Sequence, residues 1–146
     1  VIFWGYGGTL CHPTRRIRPF VERCVSNGLP ISVVMAATNS KFETATTFAT
    51  EFSDDGVTWK PIPLEVKVTC SRYALVMRDL RLFELELDLG SYVVGSGPSE
   101  GKRFSDYIRG RVDKGCAIYR ASTLPDKRIL VAFTAVLVSP YAVFVR

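Results

Sequence analysis

Residues 42–52 read FETATTFATEF, and the turn SDDG at 53–56, VTW at 57–59 and LEVKVTC at 64–70 follow them. β-Branched and aromatic residues flank the turn, where Gly56 can adopt the positive φ that a tight hairpin requires. Residues 64–70 alternate apolar and polar side chains, as a strand does when one of its faces meets water. The segment from Phe42 to Cys70 therefore predicts a β-hairpin within a β-rich protein.

The rest of the chain predicts more strands at short spacing and one or two short helices. Its 146 residues are enough for one domain, 1–146, with a sizeable core. About eight strands in such a chain are typical of a mainly β protein with a β-sandwich or jelly-roll architecture. The expected strands are 31–37, 92–94, 116–121, 128–138 and 141–145, and the expected helices are 20–26 and 104–111.

Two segments allow sharper expectations. Residues 73–86 suit either a helix or a strand, and we favour the strand because apolar and acidic residues alternate strictly from Glu84 to Leu89. The alternation changes phase at Leu82-Phe83, where a β-bulge is expected. Ile129–Phe133 shows no alternation, which predicts a strand that is buried on both faces and that ends at Ser139-Pro140.

Charge is spread unevenly along the chain, whose net charge is +5. Residues 1–40 carry four basic against one acidic side chain, residues 41–101 six against ten, and residues 102–146 nine against three. An acidic middle between basic ends favours self-association, contact with other protein subunits, or binding to nucleic acid or another polyanion. The candidate polyanion-binding residues are Arg15, Arg16, Arg18, Arg23, Lys102 and Arg103, since clustered guanidinium groups bind phosphates through charge and paired hydrogen bonds.

The cysteines, at positions 11, 24, 70 and 116, leave two interpretations open. In an oxidising compartment Cys11 and Cys24, which flank a basic loop, would be the first pair to form a disulfide. Cys70 and Cys116 suit buried free thiols. His12 is the single histidine and is expected in an exposed loop, and we expect no metal site, catalytic residue or cofactor.

The segment from Gly95 to Lys102 resembles a phosphate-binding Walker A loop, because a strand, glycines and a lysine precede a predicted helix. It departs from that motif in its spacing and in having Arg103 where the Mg²⁺-binding Ser or Thr would stand. If this loop binds a ligand, Lys102 and Arg103 favour an anion.

Two other segments resemble known families. Val1–Leu10 is similar to the first motif of haloacid-dehalogenase-like phosphatases, but Gly5 replaces the nucleophilic Asp, so the resemblance implies an inactive relative. The segment from Phe52 to Trp59 resembles a hairpin of discoidin-type jelly-roll domains, and 86–90 echoes a strand of the same family in the opposite order along the chain.

These features favour a non-enzymatic structural subunit, coat-like, that assembles with other copies or proteins and contacts polyanions through basic loops. The alternatives are a small secreted binding module with disulfides and a divergent phosphatase relative. No membrane span is expected, because the uncharged run 129–145 is shorter than the ~20 residues a spanning helix needs and contains Pro140.

Overall fold

Two long antiparallel strands dominate the architecture of the computed structural model, which describes residues 1–36, 47–108 and 113–146. The protein is mainly β, with eight antiparallel strands in the described residues. The strands are β1 Ile2–Tyr6, β2 Val33–Ala36, β3 Glu51–Ser53, β4 Lys60–Pro61, β5 Tyr73–Asp88, β6 Tyr92–Val94, β7 Ala117–Tyr119 and β8 Lys127–Val145. The helices are a π-helix Pro13–Ile17, α1 Arg18–Ser26, a 3₁₀ turn Leu89–Ser91 and α2 Phe104–Tyr107.

Six of the strands form one sheet in the order β1-β5-β8-β3-β4, and β2 also pairs with β8. The other two, β6 and β7, pair only with each other. Both come from the segment that joins β5 to β8. The β5–β8 pair is thus a hairpin whose connection folds into a small sheet of its own.

The inner half of β5–β8 is buried on both faces. Ala74, Val76 and Val143 join Ala49 and Val68 in a core cluster on one face. On the other face Leu75 and Ala142 pack with a second cluster, which includes Cys11, Ile17 and Val21 from the π-helix, α1 and the turn before them. Alternate residues of each strand face opposite sides, so both the π-helix–α1 segment and the 47–68 segment have an apolar surface to cover.

The predicted hairpin is present but short. β3 and β4 pair antiparallel around the Ser53–Thr58 turn, and Gly56 has φ 80°. The Asp55 carboxylate accepts hydrogen bonds from the backbone N–H of Val57 and of Thr58, both at 2.7 Å, and these bonds hold its pKa below the ordinary range. Residues 64–70 make only one isolated bridge, between Thr69 and Phe48, instead of the expected strand, and residues 42–46 lie outside the described residues.

The 73–86 segment is a strand, as predicted, but the irregularities in its pairing lie earlier than expected. The shifts fall between Leu75 and Met77 and between Arg78 and Arg81, with Asp79 at φ 56°. From Arg81/Thr134 to Asp88/Lys127 the register is unbroken. The bulge expected at Leu82-Phe83 is therefore wrong: one extra β5 residue is absorbed near Asp79.

Pro140 does not end a strand. The Ser139–Pro140 peptide is cis and Tyr141 has φ 68°, and pairing with β5 resumes at Ala142. Residues 128–138 and 141–145 thus belong to the single element β8. The expected strand 92–94 appears with the predicted bounds, and the other expected elements appear with shifted ends. Residue 37 and residues 109–111 lie outside the described part of the chain.

Candidate functional site

In the outer half of the β5–β8 pair, residues 81–88 pair with 127–134, and β2 flanks β8 at 132–135. Past β2, residues 84–88 and 127–131 form a two-stranded ribbon in the described part of the chain, beyond both core clusters. Directly paired residues of antiparallel strands share a face, and the register pairs Leu82 with Phe133, Glu84 with Val131, and Glu86 with Ile129. One face therefore presents the side chains of Leu82, Glu84, Glu86, Ile129 and Val131, which we call the ribbon face.

The ribbon face exposes large apolar side chains. Leu82 is 57% exposed, Ile129 68% and Val131 62%. The run Ile129–Phe133 was expected to be buried on both faces, and this expectation is wrong for its two outward positions. Phe133, at the inner end of the same face, is partly covered and lies 6.0 Å from Trp4 between ring centroids.

Two carboxylates on the ribbon face form no ion pair within the described residues. Glu84 and Glu86 are exposed, and no described residue forms an ion pair with either. Their cross-strand partners are Val131 and Ile129 rather than Lys or Arg. Asp88, next in the alternation, accepts hydrogen bonds from the backbone N–H of Gly90 and of Asp126 instead. Among the described residues there is no group of three His, Cys, Asp or Glu side chains that could hold a metal ion.

Two of the predicted basic residues, Arg16 and Arg23, lie against the loop between Gly95 and Lys102. A Cβ placed on Gly97 would lie 3.2 Å from the Arg16 Nε. Arg23 donates to the Gly95 carbonyl and pairs with Glu100 at 3.4 Å. The segment expected to be a basic loop is helical: Arg15 and Arg16 lie in the π-helix, and Arg18 and Arg23 lie in α1.

Three of the six predicted basic residues donate to backbone carbonyls that are distant in the chain. Arg18 donates to Pro140 at 3.1 Å and to Ala142 at 2.7 Å, Arg103 donates to Leu124 at 2.6 Å, and Arg23 donates to Gly95 as above. A guanidinium held in this way anchors the chain. Arg15 and Lys102 remain exposed, and Arg16 is half-buried beside Gly97.

The loop between Gly95 and Lys102 does not present a phosphate cradle. Its amides at Glu100, Gly101 and Lys102 donate to the carbonyls of Gly97, Val94 and Ser99. A phosphate-binding loop needs those N–H groups pointing at the ligand. Beside the loop lies an open pocket of about 400 Å³, lined by Ser99, Lys102, Arg103, Asp106 and Tyr107. The Asp106 carboxylate would repel an anion in this pocket. The exposed Lys102 ammonium is therefore the group of this loop that can bind an anion.

Polyanion contact by the remaining cations can be tested. We expect the Arg15→Ala, Lys102→Ala variant to elute from heparin at lower salt than the wild type, because each lost contact lowers the salt slope of binding by about one. The measurement is the eluting salt concentration on a heparin column. A Lys67→Ala, Arg120→Ala variant loses the same charge from other exposed positions. Equal elution of the two variants would mean that net charge, not this cluster, causes retention.

Three of the four thiols cluster, and Cys70 is exposed. Cys11 is buried, and the nearby Cys116 thiol lowers its pKa. Cys116 packs against the core cluster that contains Cys11. Cys24 lies close enough to Cys116 to contribute to raising the pKa of the Cys116 thiol. Cys11 and Cys24 are both free thiols in the structure, so the disulfide between them stays a prediction for an oxidising compartment.

His12 is not a free loop residue. Its ring lies 5.2 Å from that of Tyr73 and 5.4 Å from that of Phe144, and its Nδ1 accepts from the Arg15 N–H at the start of the π-helix. Burial lowers the pKa of His12 below its ordinary 6.5, and the positive charges of Arg15, Arg72 and Arg16 add to this effect. The structure therefore favours the neutral imidazole.

The lowered pKa of His12 predicts that the folded protein loses stability as the pH falls from about 7.5 to about 5.5. A histidine whose folded-state pKa is depressed contributes stability that is present above its unfolded pKa and is lost as pH falls below it. We expect a lower Tm at about pH 5.5 than at about pH 7.5. His12→Asn should remove most of that difference, because Asp55 and Asp88, whose pKa values are also lowered, titrate in a more acidic range. An unchanged pH dependence in the variant would assign the effect to another group.

The phosphatase-like motif at the start of the chain lies in β1. A Cβ at Gly5 would stand 3.0 Å from the Thr69 carbonyl oxygen and 3.2 Å from the Ser71 hydroxyl. The position that carries the nucleophile in those phosphatases is thus closely covered here. The motif's strand is an edge of the antiparallel sheet, paired with β5.

Sequence reasoning missed the ribbon face, the Cys11–Cys116 pair and the anchoring roles of Arg18, Arg23 and Arg103. Part of the ribbon signal is present in the sequence: Glu84 and Glu86 alternate with leucines, as in a strand with one solvated face. The pairing of that strand with Ile129 and Val131 is non-local and is not encoded in either segment alone.

Comparison with known proteins adds no relative. Among the described residues, no helix has the length and apolar character needed to cross a membrane. No family model, curated protein or solved structure matches this chain.

Proposed function

We propose that the protein is a non-enzymatic assembly subunit that joins further copies of itself through the ribbon face. The observation that carries the proposal is the exposure of Leu82, Ile129 and Val131 together on one side of a ribbon that projects past the core. An apolar cluster rimmed by charged residues is typical of a protein–protein contact. Exposed large apolar side chains on a strand otherwise favour uncontrolled aggregation.

The charges on the same surface favour a second copy of the chain as the partner. Glu84 and Glu86 form no ion pair with a described residue, while the chain has a net charge of +5 and exposes Arg15 and Lys102 elsewhere. An acidic face on one copy and a basic surface on the next are complementary, and such charges set the register and speed of association. Contacts between different patches of one molecule build rings or filaments rather than closed pairs.

The β5 edge supports the same proposal. β1 pairs with β5 only over Tyr73–Met77, and in the described part of the chain no strand lies beside residues 81–88 on that side. Unpaired N–H and C=O groups along such an edge can accept a further strand. The proposal includes the β-sandwich or jelly-roll architecture expected from the sequence, which would suit a coat-like subunit built from antiparallel strands.

The experiment that tests this function is the solution mass, measured by light scattering on a sizing column at low and at high salt. We expect a species heavier than the 16.3 kDa monomer at low salt, with its mass falling as salt screens the Glu84 and Glu86 contacts. A monomer at both salt concentrations across the accessible protein range would overturn self-assembly.

A further inference from the structure

Cys11 and Cys116 are a pair of thiols that the proposed assembly does not involve. Cys11 lies in the turn after β1 and Cys116 lies immediately before β7, so the two thiols join distant parts of the chain. Both backbones are held in place: the Tyr6 hydroxyl donates to the Cys11 carbonyl, and the Gly95 N–H donates to the Cys116 carbonyl at 2.9 Å. Cys11 belongs to the core cluster that also contains Ile17, Val21 and Ala142, and Cys116 packs against this cluster. Two neighbouring thiols on fixed backbones are placed to react with each other.

The surroundings of the two thiols shift their pKa values in opposite directions. The nearby Cys116 thiol and the charge of Lys114 lower the pKa of Cys11 against the effect of burial. The Cys11 thiol and burial raise the pKa of Cys116. The thiolate is the reactive form of cysteine, so Cys11 is the sulfur that reacts first and Cys116 the one that resolves. Cys116 is partly exposed, which gives a small oxidant access to the pair.

We propose that Cys11 and Cys116 form a redox modification site at which hydrogen peroxide produces a reversible disulfide. The Cys11 thiolate attacks one peroxide oxygen, so that an S–O bond forms, the O–O bond breaks and hydroxide leaves. The Cys116 sulfur, losing its proton to that hydroxide, then attacks the Cys11 sulfur and displaces the second hydroxide, which takes up a proton as water. Overall, two thiols and one peroxide give one disulfide and two waters.

The bond would tie the six-stranded sheet to the small β6–β7 sheet. Cys11 follows β1 of the large sheet, and β7, which follows Cys116, pairs with β6. In the reduced chain these parts are joined by non-covalent contacts such as those of Arg23 with Gly95 and Glu100. Oxidation would convert this junction into a covalent one, and a thiol reductant would reverse it.

The test uses the full chain with Cys70→Ser, which removes the exposed thiol. The folded protein is treated with hydrogen peroxide, its remaining thiols are blocked, and its peptides are mapped without reduction. We expect loss of two of the three remaining thiols, a peptide pair joined through Cys11 and Cys116, and full recovery of both thiols with dithiothreitol. Adding Cys116→Ser should leave a Cys11 sulfenic acid that a cyclic diketone captures.

Cys24→Ser is the matched control, since Cys24 is the third thiol near the pair and is buried. This variant should still form the Cys11–Cys116 bond. A disulfide that contains Cys24 would overturn the proposal, and so would survival of all three thiols at a peroxide dose that oxidises the urea-denatured chain. Because mapping the Cys70→Ser protein is sufficient by itself, the outcome does not depend on whether the other variants fold.

Discussion

An Ile129→Lys, Val131→Lys double variant is expected to remain a 16.3 kDa monomer under conditions in which the wild type assembles. Burying each of the two apolar side chains in a contact stabilises it by about 1.5–3 kcal/mol. Losing both therefore corresponds to at least roughly a hundredfold weaker association. The measurement is the mass-average molecular weight by light scattering over a range of protein concentrations.

The substitutions are chosen so that the monomer keeps its fold. The register places residue 129 opposite Glu86 and residue 131 opposite Glu84. Each new lysine can then form a cross-strand ion pair, and pairs of opposite charge contribute about 0.2–1 kcal/mol to a sheet. We expect an unchanged circular dichroism spectrum and an unchanged or slightly higher Tm. Loss of assembly together with loss of the fold would not support the proposed contact.

Val57→Lys, Leu64→Lys is the matched control. Val57 is 80% exposed and Leu64 100% exposed, and both lie in the segment between β3 and β5 rather than on the ribbon. The control adds the same charge and removes similar apolar surface, so it should assemble as the wild type does. If both double variants dissociate, added positive charge causes the effect, and if neither does, the ribbon face is not the contact.

A second pair of substitutions separates the charged from the apolar contribution. Glu84→Gln, Glu86→Gln leaves Leu82, Ile129 and Val131 in place and removes the two carboxylates of the ribbon face. We expect assembly to persist with a weaker dependence on salt, because only the screened part of the interaction is lost. This result would assign affinity mainly to the apolar side chains and salt sensitivity to the acids.

The local parts of the fold follow from the sequence. The Asp-Gly turn, the β5 strand and the helix that ends before Gly28 depend on residues close together in the chain, and Gly28 has φ 68°, as is common just past the end of a helix. The strand over 73–86 was favoured over a helix because of the alternation after Glu84, and that prediction is confirmed. Turn chemistry and periodicity act over a few residues, so a single sequence can reveal them.

The non-local parts do not follow from it. Whether Ile129 and Val131 are buried depends on what covers β8, and in the described part of the chain both core clusters lie along its inner half. An apolar run looks the same whether it faces the protein's own core or a separate partner. The same limit applies to the basic residues. The sequence predicts Arg18, Arg23 and Arg103 as polyanion ligands, but each guanidinium donates to a backbone carbonyl that is distant in the chain.

Gly90→Ala is expected to destabilise the protein by about 2–4 kcal/mol, because the new methyl group would overlap fixed backbone atoms. A Cβ at this position would lie 2.3 Å from the Leu124 carbonyl oxygen and 2.8 Å from the Asp126 nitrogen. Neither atom can move freely. The Asp126 N–H donates to the Asp88 carboxylate at 2.8 Å, and the Leu89 N–H donates to the Asp126 carbonyl at 2.9 Å.

The effect should extend to Arg103, whose guanidinium donates to the same Leu124 carbonyl. Displacing that carbonyl removes the bond and separates α2 from the turn before β8, so the connection between β5 and β8 should loosen before the sheet does. The measurement is urea denaturation together with limited proteolysis of residues 95–126. Gly7→Ala is the control, since its Cβ would meet no atom within 4 Å. Equal stability of the two variants would show that the backbone near Leu124 and Asp126 can move to make room for the methyl group. Gly90 would then not be needed to close the ribbon.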